Sequence, residues 1–257
     1  MNWQPCAALV ERGDADRFAA LMAAPLAARG PLAVLYAFNL EIARAPWVTK
    51  EPMIAEMRLQ WWRDIVAEAA VGRPARAHEV AGPLSELIGQ GRIDGTVLDR
   101  MVEARRWDVY TDAFEDQAAM DAYLEDTAAG LTWAAAQALA AGPGAEAAVR
   151  GYGWAAGLAA FLRAVPELEE RGRIPLVDGR AEAVAALARR GLDRLRDARA
   201  ALGTVTPAAR PALIATHAAG PLLALIAREP QRVADGLVAQ SEFSRRWGLL
   251  KAAFGRH

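Results

Sequence analysis

The sequence predicts an all-α protein, and two observations carry that prediction. Alanine, leucine, arginine and glutamate, which are good helix formers, dominate the chain. Short runs of alternating β-branched residues, which are typical of strands, are hard to find anywhere. Glycine and proline interrupt the helical pattern at 30–31, 50–52, 72–74, 89–95, 142–144, 172–179, 203–207 and 229–230. We therefore expect helices between these breaks.

The apolar residues between the breaks recur at helical spacing. Trp62 and Val66 share one face of a helix predicted over 52–71, with charged residues on the other face. A second amphipathic helix is predicted over 96–110. The stretch over 121–141 is apolar all round, so we expect it at the centre of the molecule.

Length and charge limit the class of protein. The chain has 257 residues, of which 54% are hydrophobic, and no segment has the composition of an interdomain linker. We therefore predict a single domain over residues 1–257. The 30 basic and 31 acidic residues nearly cancel, which leaves no basic face for nucleic acid.

Cysteine and histidine are too sparse for a disulfide or a zinc site. Cys6 is the one cysteine, and the three histidines are scattered. The first basic residue is Arg12, which argues against a secretory signal, and the uncharged run over 128–145 is interrupted like a buried helix with its end. We expect a reducing cytoplasm, with peripheral contact at the inner membrane left open.

A first motif carries a family resemblance. Tyr36, Ala37 and Phe38 are predicted to open a helix, and residues 58–64 read RLQWWRD. The pair resembles the first conserved block of squalene/phytoene synthases. In that family the pattern YAFCRxxDDxxD sets aspartates one helical turn apart, where they chelate the Mg²⁺ that bridges to a substrate diphosphate. Ala43 and Trp47 stand at those positions here, and neither binds a metal.

A second motif over residues 153–176 is similar to the family pattern GxALQLTNILRDVxEDxxRGRxYLP. The matching residues include Arg163, Glu167, Arg171, Gly172, Arg173 and Leu176. Both aspartates are absent, because Ala164 and Leu168 replace them. The sequence has therefore lost both halves of the family's metal site within motifs that are otherwise kept.

Between these motifs, Tyr123 followed by Thr-Ala-Ala at 127–129 resembles the family's YCxxxA segment, whose tyrosine lines the reaction pocket. The resemblance runs from about Asp16 to Leu176 and is weakest after about 177. Three short segments together resemble one divergent branch of this family, which includes the mitochondrial complex I assembly factor and its bacterial relatives. These segments read AFNLE at 37–41, RLQW at 58–61 and LRA at 162–164.

The resemblance implies an isoprenoid-synthase-type helical bundle around a central cavity. It implies pocket positions at Phe38, Trp62, Ala43 and Ala164, and substrate or phosphate contacts from Arg163, Arg171, Arg173, Glu41 and Glu167. Two plainer interpretations stay open. The arginines also have glutamates at 167, 169 and 170 with which to form exposed ion pairs, and Trp61 and Trp62 suit an ordinary core. His217 is expected to be a core histidine.

From the missing aspartates we expect a non-catalytic protein without a metal or other cofactor. Its expected partners are an isoprenoid or lipid ligand and a protein, in the assembly of a respiratory complex. The alternative is an active head-to-head prenyltransferase that uses Mg²⁺, with Tyr123 as acid or base. Its replacement metal ligands would come from the carboxylates Glu41, Glu125, Asp126, Glu167, Glu169 and Glu170. A helical interaction module with a filled centre is a third hypothesis.

The chain ends in a basic stretch with aromatic residues. Residues 241–247 are predicted to begin the last helix, and residues 245–254 read RRWGLLKAAF. Such a helix suits an anionic membrane surface, and it suits equally a terminal helix that is docked on the core.

Overall fold

A computed structural model describes residues 2–49 and 51–255, and within these ranges every regular element is helical. This confirms the all-α prediction. The α-helices are α1 (Gln4–Gly13), α2 (Ala15–Ala23), α3 (Leu26–Arg44), α4 (Pro52–Ala70), α5 (Ala81–Gly89), α6 (Gly95–Ala104), α7 (Gln117–Leu124), α8 (Gly130–Ala138), α9 (Glu146–Glu170), α10 (Ala181–Ala200), α11 (Ala219–Arg228), α12 (Gln231–Ala234) and α13 (Glu242–Ala253).

Shorter helical turns connect several of these elements. The 3₁₀ turns include Arg105–Asp108, which follows α6, and Arg210–Thr216, which precedes α11. A π-helical turn at Glu125–Ala129 joins α7 to α8. The side chain of Thr127 donates to the carbonyl of Tyr123 at 2.6 Å within this stretch. Because π turns recur at functional sites in helical proteins, the position of this one beside Tyr123 is notable.

The 25-residue helix α9 lies at the centre of the bundle and contacts α8, α10 and α11. Its glycines let the neighbouring helices approach closely. A Cβ atom on Gly153 would lie 2.7 Å from the Cα of Ala129 and 2.6 Å from Oγ1 of Thr132. On the next face, a Cβ atom on Gly151 would lie 2.8 Å from that of Ala198 on α10. Small residues therefore set the distances between α9 and two of its neighbours.

Two local predictions need correction. The break at 30–31 is wrong, because α3 continues through Pro31, and Tyr36 lies in the middle of that helix. Leu32, Val34 and Leu35 are almost fully buried, and their burial outweighs the cost of an internal proline, about 3 kcal/mol. The helix predicted over 96–110 ends at Ala104 and tightens into the 3₁₀ turn.

The other helical predictions agree with the structure. Helix α4 matches the predicted range, with Trp62 and Val66 buried. The run over 128–145 is largely buried. Within the described ranges, Arg210–Arg228 is the stretch that is long and apolar enough to cross a membrane, but 56% of its most apolar window is buried inside the fold. Core helices of soluble proteins meet the same criterion.

We predict that Gly153→Ala lowers the free energy of unfolding by about 1–2 kcal/mol, measured by urea denaturation. The new methyl group would overlap the backbone of Ala129, and overpacking costs about 1–3 kcal/mol, which exceeds the gain of up to about 1 kcal/mol in helix propensity. Gly82→Ala on α5 is the control, because nothing lies within 4 Å of that position. Equal stability of the two variants would contradict the close approach.

Candidate functional site

A cavity of about 670 Å³ lies between α3, α9 and the segment from α7 to α8. It is open to solvent at one end, where charged side chains stand, and closed at the other by buried residues. The volume is within the usual range for small-molecule sites. The centre of the bundle is thus open, contrary to the hypothesis of a filled interaction module.

Small apolar side chains form most of the wall. Ala128, Ala156, Gly157 and Ala160 leave the space open, and larger residues such as Leu131, Phe161 and Leu222 bound it. A Cβ atom on Gly157 would collide with that of Ala128. The short distance between α9 and the π turn therefore depends on glycine at this point in the cavity wall.

The positions of the missing aspartates come together in this cavity. Ala43, Trp47, Ala164 and Leu168 all line it, two from α3 and its end and two from α9. Mg²⁺ prefers several oxygen ligands in near-octahedral geometry. These four side chains supply none, and no three histidine, cysteine or acidic residues within 2–49 and 51–255 are grouped so that they could hold a metal. The residues present do not fit Mg²⁺.

Trp47 contacts the arginines of the second motif. The guanidinium carbon of Arg171 lies 4.4 Å from the Trp47 ring centroid, and that of Arg173 lies 5.4 Å from it. Arg171 also donates to Oε1 of Glu167 at 2.6 Å, one helical turn away. Cation–π contacts and ion pairs within the chain therefore engage the charges that face this end of the cavity.

Arg173 lies behind the wall of the cavity. Its side chain donates to the backbone oxygens of Trp107, at 3.0 Å, and Tyr110. Its guanidinium also stacks over the Trp107 ring at 4.6 Å. The residue is 6% exposed, and desolvation lowers its pKa. These contacts give Arg173 a structural role at the site.

At the open end, Asp16 lies between two arginines from distant parts of the chain. Arg245 of α13 donates to Oδ1 of Asp16 at 2.6 Å, and Arg163 of α9 lies 3.7 Å from Oδ2. Arg17 pairs with Asp14, which also caps α2. Among the described residues, five arginines and four carboxylates line the cavity. Their charges therefore nearly balance before any ligand binds.

The buried end contains a hydrogen-bonded triad. Arg105 Nη1 donates to the Tyr123 hydroxyl at 2.7 Å and to Oδ2 of Asp108 at 3.0 Å. The Tyr123 hydroxyl lies 3.1 Å from both oxygens of Asp108, to which it donates. Burial raises the pKa of Tyr123 well above its ordinary value. The phenol is therefore neutral at pH 7 and donates its hydrogen bond to Asp108.

An aromatic cluster surrounds this triad. The ring of Trp107 stacks on that of Phe114 with centroids 4.1 Å apart. Tyr123 lies 5.4 Å from Trp107 and 6.0 Å from Phe161 between ring centroids. These rings exclude water from the triad, which strengthens its hydrogen bonds.

Four predicted site residues are not in the cavity wall, and Arg173, described above, is one of them. Phe38 and Trp62 pack edge to face in the core, with ring centroids 5.4 Å apart. Phe38 lies about 140°, and Glu41 about 160°, around α3 from Ala43, since each residue turns a helix by about 100°. Ala43 shares its face with Tyr36, which does line the cavity. Of the four predicted pocket positions, Ala43 and Ala164 line the cavity, whereas Phe38 and Trp62 do not. Glu41 and Arg173, which were predicted as ligand contacts, also lie outside its wall.

Other cavity residues were missed by the motif comparison. They are Asp14, Asp16, Arg17, Arg105, Asp108, His217 and Arg245. The i, i+3 spacing of Arg105 and Asp108 directly after an apolar helix was the available signal. His217 was expected in the core, but it lines the cavity, where desolvation lowers its pKa.

Ion pairs with different arginines hold the suggested replacement metal ligands apart. Glu125 pairs with Arg150 at 3.4 Å and also with Arg194. Asp126 lies 3.9 Å from Arg100. Glu167, which does line the cavity, pairs with Arg171. Each carboxylate thus faces a different arginine, and the three do not converge on one point.

Comparison with known proteins gives matches in sequence and in structure. The family model described as squalene/phytoene synthase matches residues 10–177. A solved dehydrosqualene synthase aligns with a TM-score of 0.82 and 15% identity, over 97% of this chain and 94% of that one. The squalene synthase HpnC from Alicyclobacillus acidocaldarius aligns with a TM-score of 0.73 and 16% identity, over 89% and 94% of the two chains. At these identities the structures show a shared fold.

The relatives with similar sequences are named as assembly factors, whereas the solved structures are named as synthases. Complex I assembly factor 6 homolog from Drosophila melanogaster is 29% identical over 178 residues, which cover 67% of this chain and 53% of that protein. Human complex I assembly factor 6 is 24% identical over 170 residues, which cover 66% of this chain and 51% of that protein. The chain thus spans about half the length of the curated relatives it matches. These matches confirm the predicted relationship to the divergent branch.

We predict that Tyr123→Phe lowers the free energy of unfolding by about 1–3 kcal/mol at pH 7, since it removes a hydrogen bond to buried Asp108. Wild-type stability should also fall above about pH 10, where the unfolded tyrosine ionises and the folded one keeps its proton. The variant should show less of this loss in urea titrations. Tyr110→Phe, at a 46% exposed side chain, is the control, and equal behaviour of both variants would contradict the triad.

Proposed function

This chain belongs to the squalene/phytoene synthase family, and we propose that it is a non-catalytic member that binds an isoprenoid or related lipid in its cavity and acts with a protein partner in respiratory-complex assembly. One observation carries the proposal. Ala43, Trp47, Ala164 and Leu168 occupy both facing halves of the expected metal site within a cavity that is still open.

The donor set of the cavity supports the loss of catalysis. Ionisation of an allylic diphosphate needs positive charge, normally Mg²⁺, on the leaving group. The cavity carboxylates are each engaged by an arginine, as Asp16 is by Arg245, Asp108 by Arg105 and Glu167 by Arg171. Gathering them around a metal would break all of these pairs at once. No step of prenyl transfer is therefore assigned to these residues.

The same cavity suits an apolar ligand with a polar head. Its middle is lined by alanine, glycine and leucine side chains, which favour the burial of hydrocarbon at roughly 25 cal/mol per Å². Arg163 and Arg171 stand at the open end with about half of each side chain exposed, at 52% and 45%. We place the ligand's tail along the alanines and its head beside these two arginines.

The proposed role in assembly is supported by the curated relatives. The proteins from Drosophila melanogaster and human are both named as assembly factors of NADH dehydrogenase complex I. We propose that this chain, which matches about half of their length, likewise acts through a protein partner during assembly of a respiratory complex. The cavity ligand would then be cargo or a structural cofactor of that interaction.

We predict that the purified full chain, incubated with Mg²⁺ and farnesyl or geranylgeranyl diphosphate, releases no diphosphate and forms no head-to-head product. The measurement is diphosphate release with product extraction. Restoring carboxylates in the variant Ala43→Asp/Trp47→Asp/Ala164→Asp/Leu168→Asp should create Mg²⁺ binding that calorimetry detects and that the unaltered chain lacks. Turnover by the unaltered chain would establish the alternative, an active prenyltransferase.

We also predict that Ala160→Trp weakens the binding of geranylgeraniol at least about tenfold in native mass spectrometry, because the indole fills the cavity. Ala186→Trp is the matched control, since Ala186 is an exposed helical alanine outside the cavity wall. Equal binding by both variants would contradict a ligand in this cavity.

The same two variants test the assembly role in cells that lack the native gene. The control should restore assembled NADH dehydrogenase, and the cavity-filled variant should not. If both variants restored assembled NADH dehydrogenase, the role in assembly would not depend on a ligand in the cavity. If even the unaltered chain did not affect assembled enzyme, the proposed role in assembly would fail.

A further inference from the structure

Helix α13 carries an exposed row of large apolar side chains. The row consists of Phe243, Trp247, Leu250 and Phe254, which are 77%, 52%, 48% and 78% exposed. At about 100° per residue these positions fall within about 60° of one another around the helix. The row, here called the α13 stripe, extends over about 16 Å, and the rings of Phe243 and Trp247 stack on each other with centroids 6.5 Å apart.

The opposite face of α13 attaches the helix to the protein. Arg245 binds Asp16 on α2, and Ala252 is buried at 3% exposure. Gly248 packs on His217, where an added Cβ atom would lie 3.3 Å from the imidazole. The helix therefore packs on the protein through small residues and an ion pair. Its aromatic side chains, which would normally pack against the core, face outward.

Positive charge borders the α13 stripe on both sides. Arg246 and Lys251 lie about 70° from the middle of the stripe, one on each side. Both are exposed. Arg246 pairs with Glu242 at 2.7 Å, but Arg246 is 78% exposed and such pairs are worth little. An apolar row with tryptophan and cationic borders is the arrangement of helices that lie in the plane of a membrane interface.

We propose that the α13 stripe docks the protein on the surface of an anionic phospholipid bilayer. The charge pattern favours lipid phosphates, which can contact Arg246 and Lys251 together while the rings enter the acyl boundary. Its four side chains project from one face of the helix and are about half or more exposed, so it suits a deformable planar surface. Gln240 and Arg245, at the start of this region, line the cavity, so the open end of the cavity lies beside the helix that docks.

Sedimentation with vesicles tests this proposal on the full chain. The chain should bind vesicles of equal phosphatidylglycerol and phosphatidylcholine more tightly than vesicles of phosphatidylcholine alone, and added salt should weaken the difference. Phe243→Ser/Trp247→Ser should lower the partition coefficient at least about tenfold. Arg246→Glu/Lys251→Glu should remove the preference for the anionic vesicles.

Met53→Ser/Met57→Ser on α4 is the matched control, because these side chains are also 76% and 66% exposed, and it should bind like the unaltered chain. Thermal unfolding of all variants checks that they fold. Failure of the unaltered chain to bind either vesicle, or equal loss in the control, would overturn the proposal. It would also be overturned if light scattering showed a dimer that the stripe variant loses, since the stripe would then cover a second copy.

Discussion

The close approach of α9 to the π turn is the constraint on which the rest of the structure depends. Gly153 and Gly157 face Ala129 and Ala128, and a Cβ atom on either glycine would collide with its neighbour. At this short distance, alanines at neighbouring positions bound a narrow open space in place of a packed centre. The same helix carries Arg163, Ala164 and Glu167, so the position of α9 also fixes the charged end of the cavity.

Charge pairing across the cavity follows from this geometry. Guanidinium groups that face an enclosed space are costly unless an anion or an aromatic ring compensates them. Asp16 supplies that compensation between α9 and α13, although it is separated from Arg245 by 229 residues in sequence. Asp108 does so for Arg105 at the buried end. The cavity is therefore close to electrically balanced without a metal or a diphosphate.

Sequence periodicity predicted most of the helices. Ala43 and Ala164 were named through the family resemblance, because alignment of the two motifs places them where the family has aspartates. Phe38 and Glu41 belong to the same motif as Ala43, but they lie on a different face of α3 and therefore outside the cavity wall. The triad of Arg105, Asp108 and Tyr123 was not predictable as a unit. Arg105 and Asp108 lie on a 3₁₀ turn and Tyr123 lies on α7, and tertiary packing, which local sequence does not encode, brings the two elements together.

The contacts of Trp47 could not be predicted from the sequence either. They explain how the positive charges of Arg171 and Arg173 are compensated in a site without metal ligands. An alanine at position 47 would leave Arg171 and Arg173 with one partner fewer than they have here. The Trp47 ring lies within cation–π distance of both guanidiniums, so it compensates charge without supplying a metal ligand. Tryptophan at position 47 therefore offers no metal ligand and still compensates the positive charge of both arginines.

The arginines are not equivalent as ligand contacts. Arg173 is buried and donates to two backbone oxygens. If it turned to bind a ligand, these two oxygens would lose their hydrogen-bond donor, at a cost of about 1–3 kcal/mol each. Arg163 and Arg171 hold exposed ion pairs, which are worth at most about 1 kcal/mol. A polar or anionic head group would outcompete such pairs and leave the fold intact. The difference in burial is therefore the reason that we propose Arg163 and Arg171 as ligand contacts, whereas Arg173 supports the wall behind them.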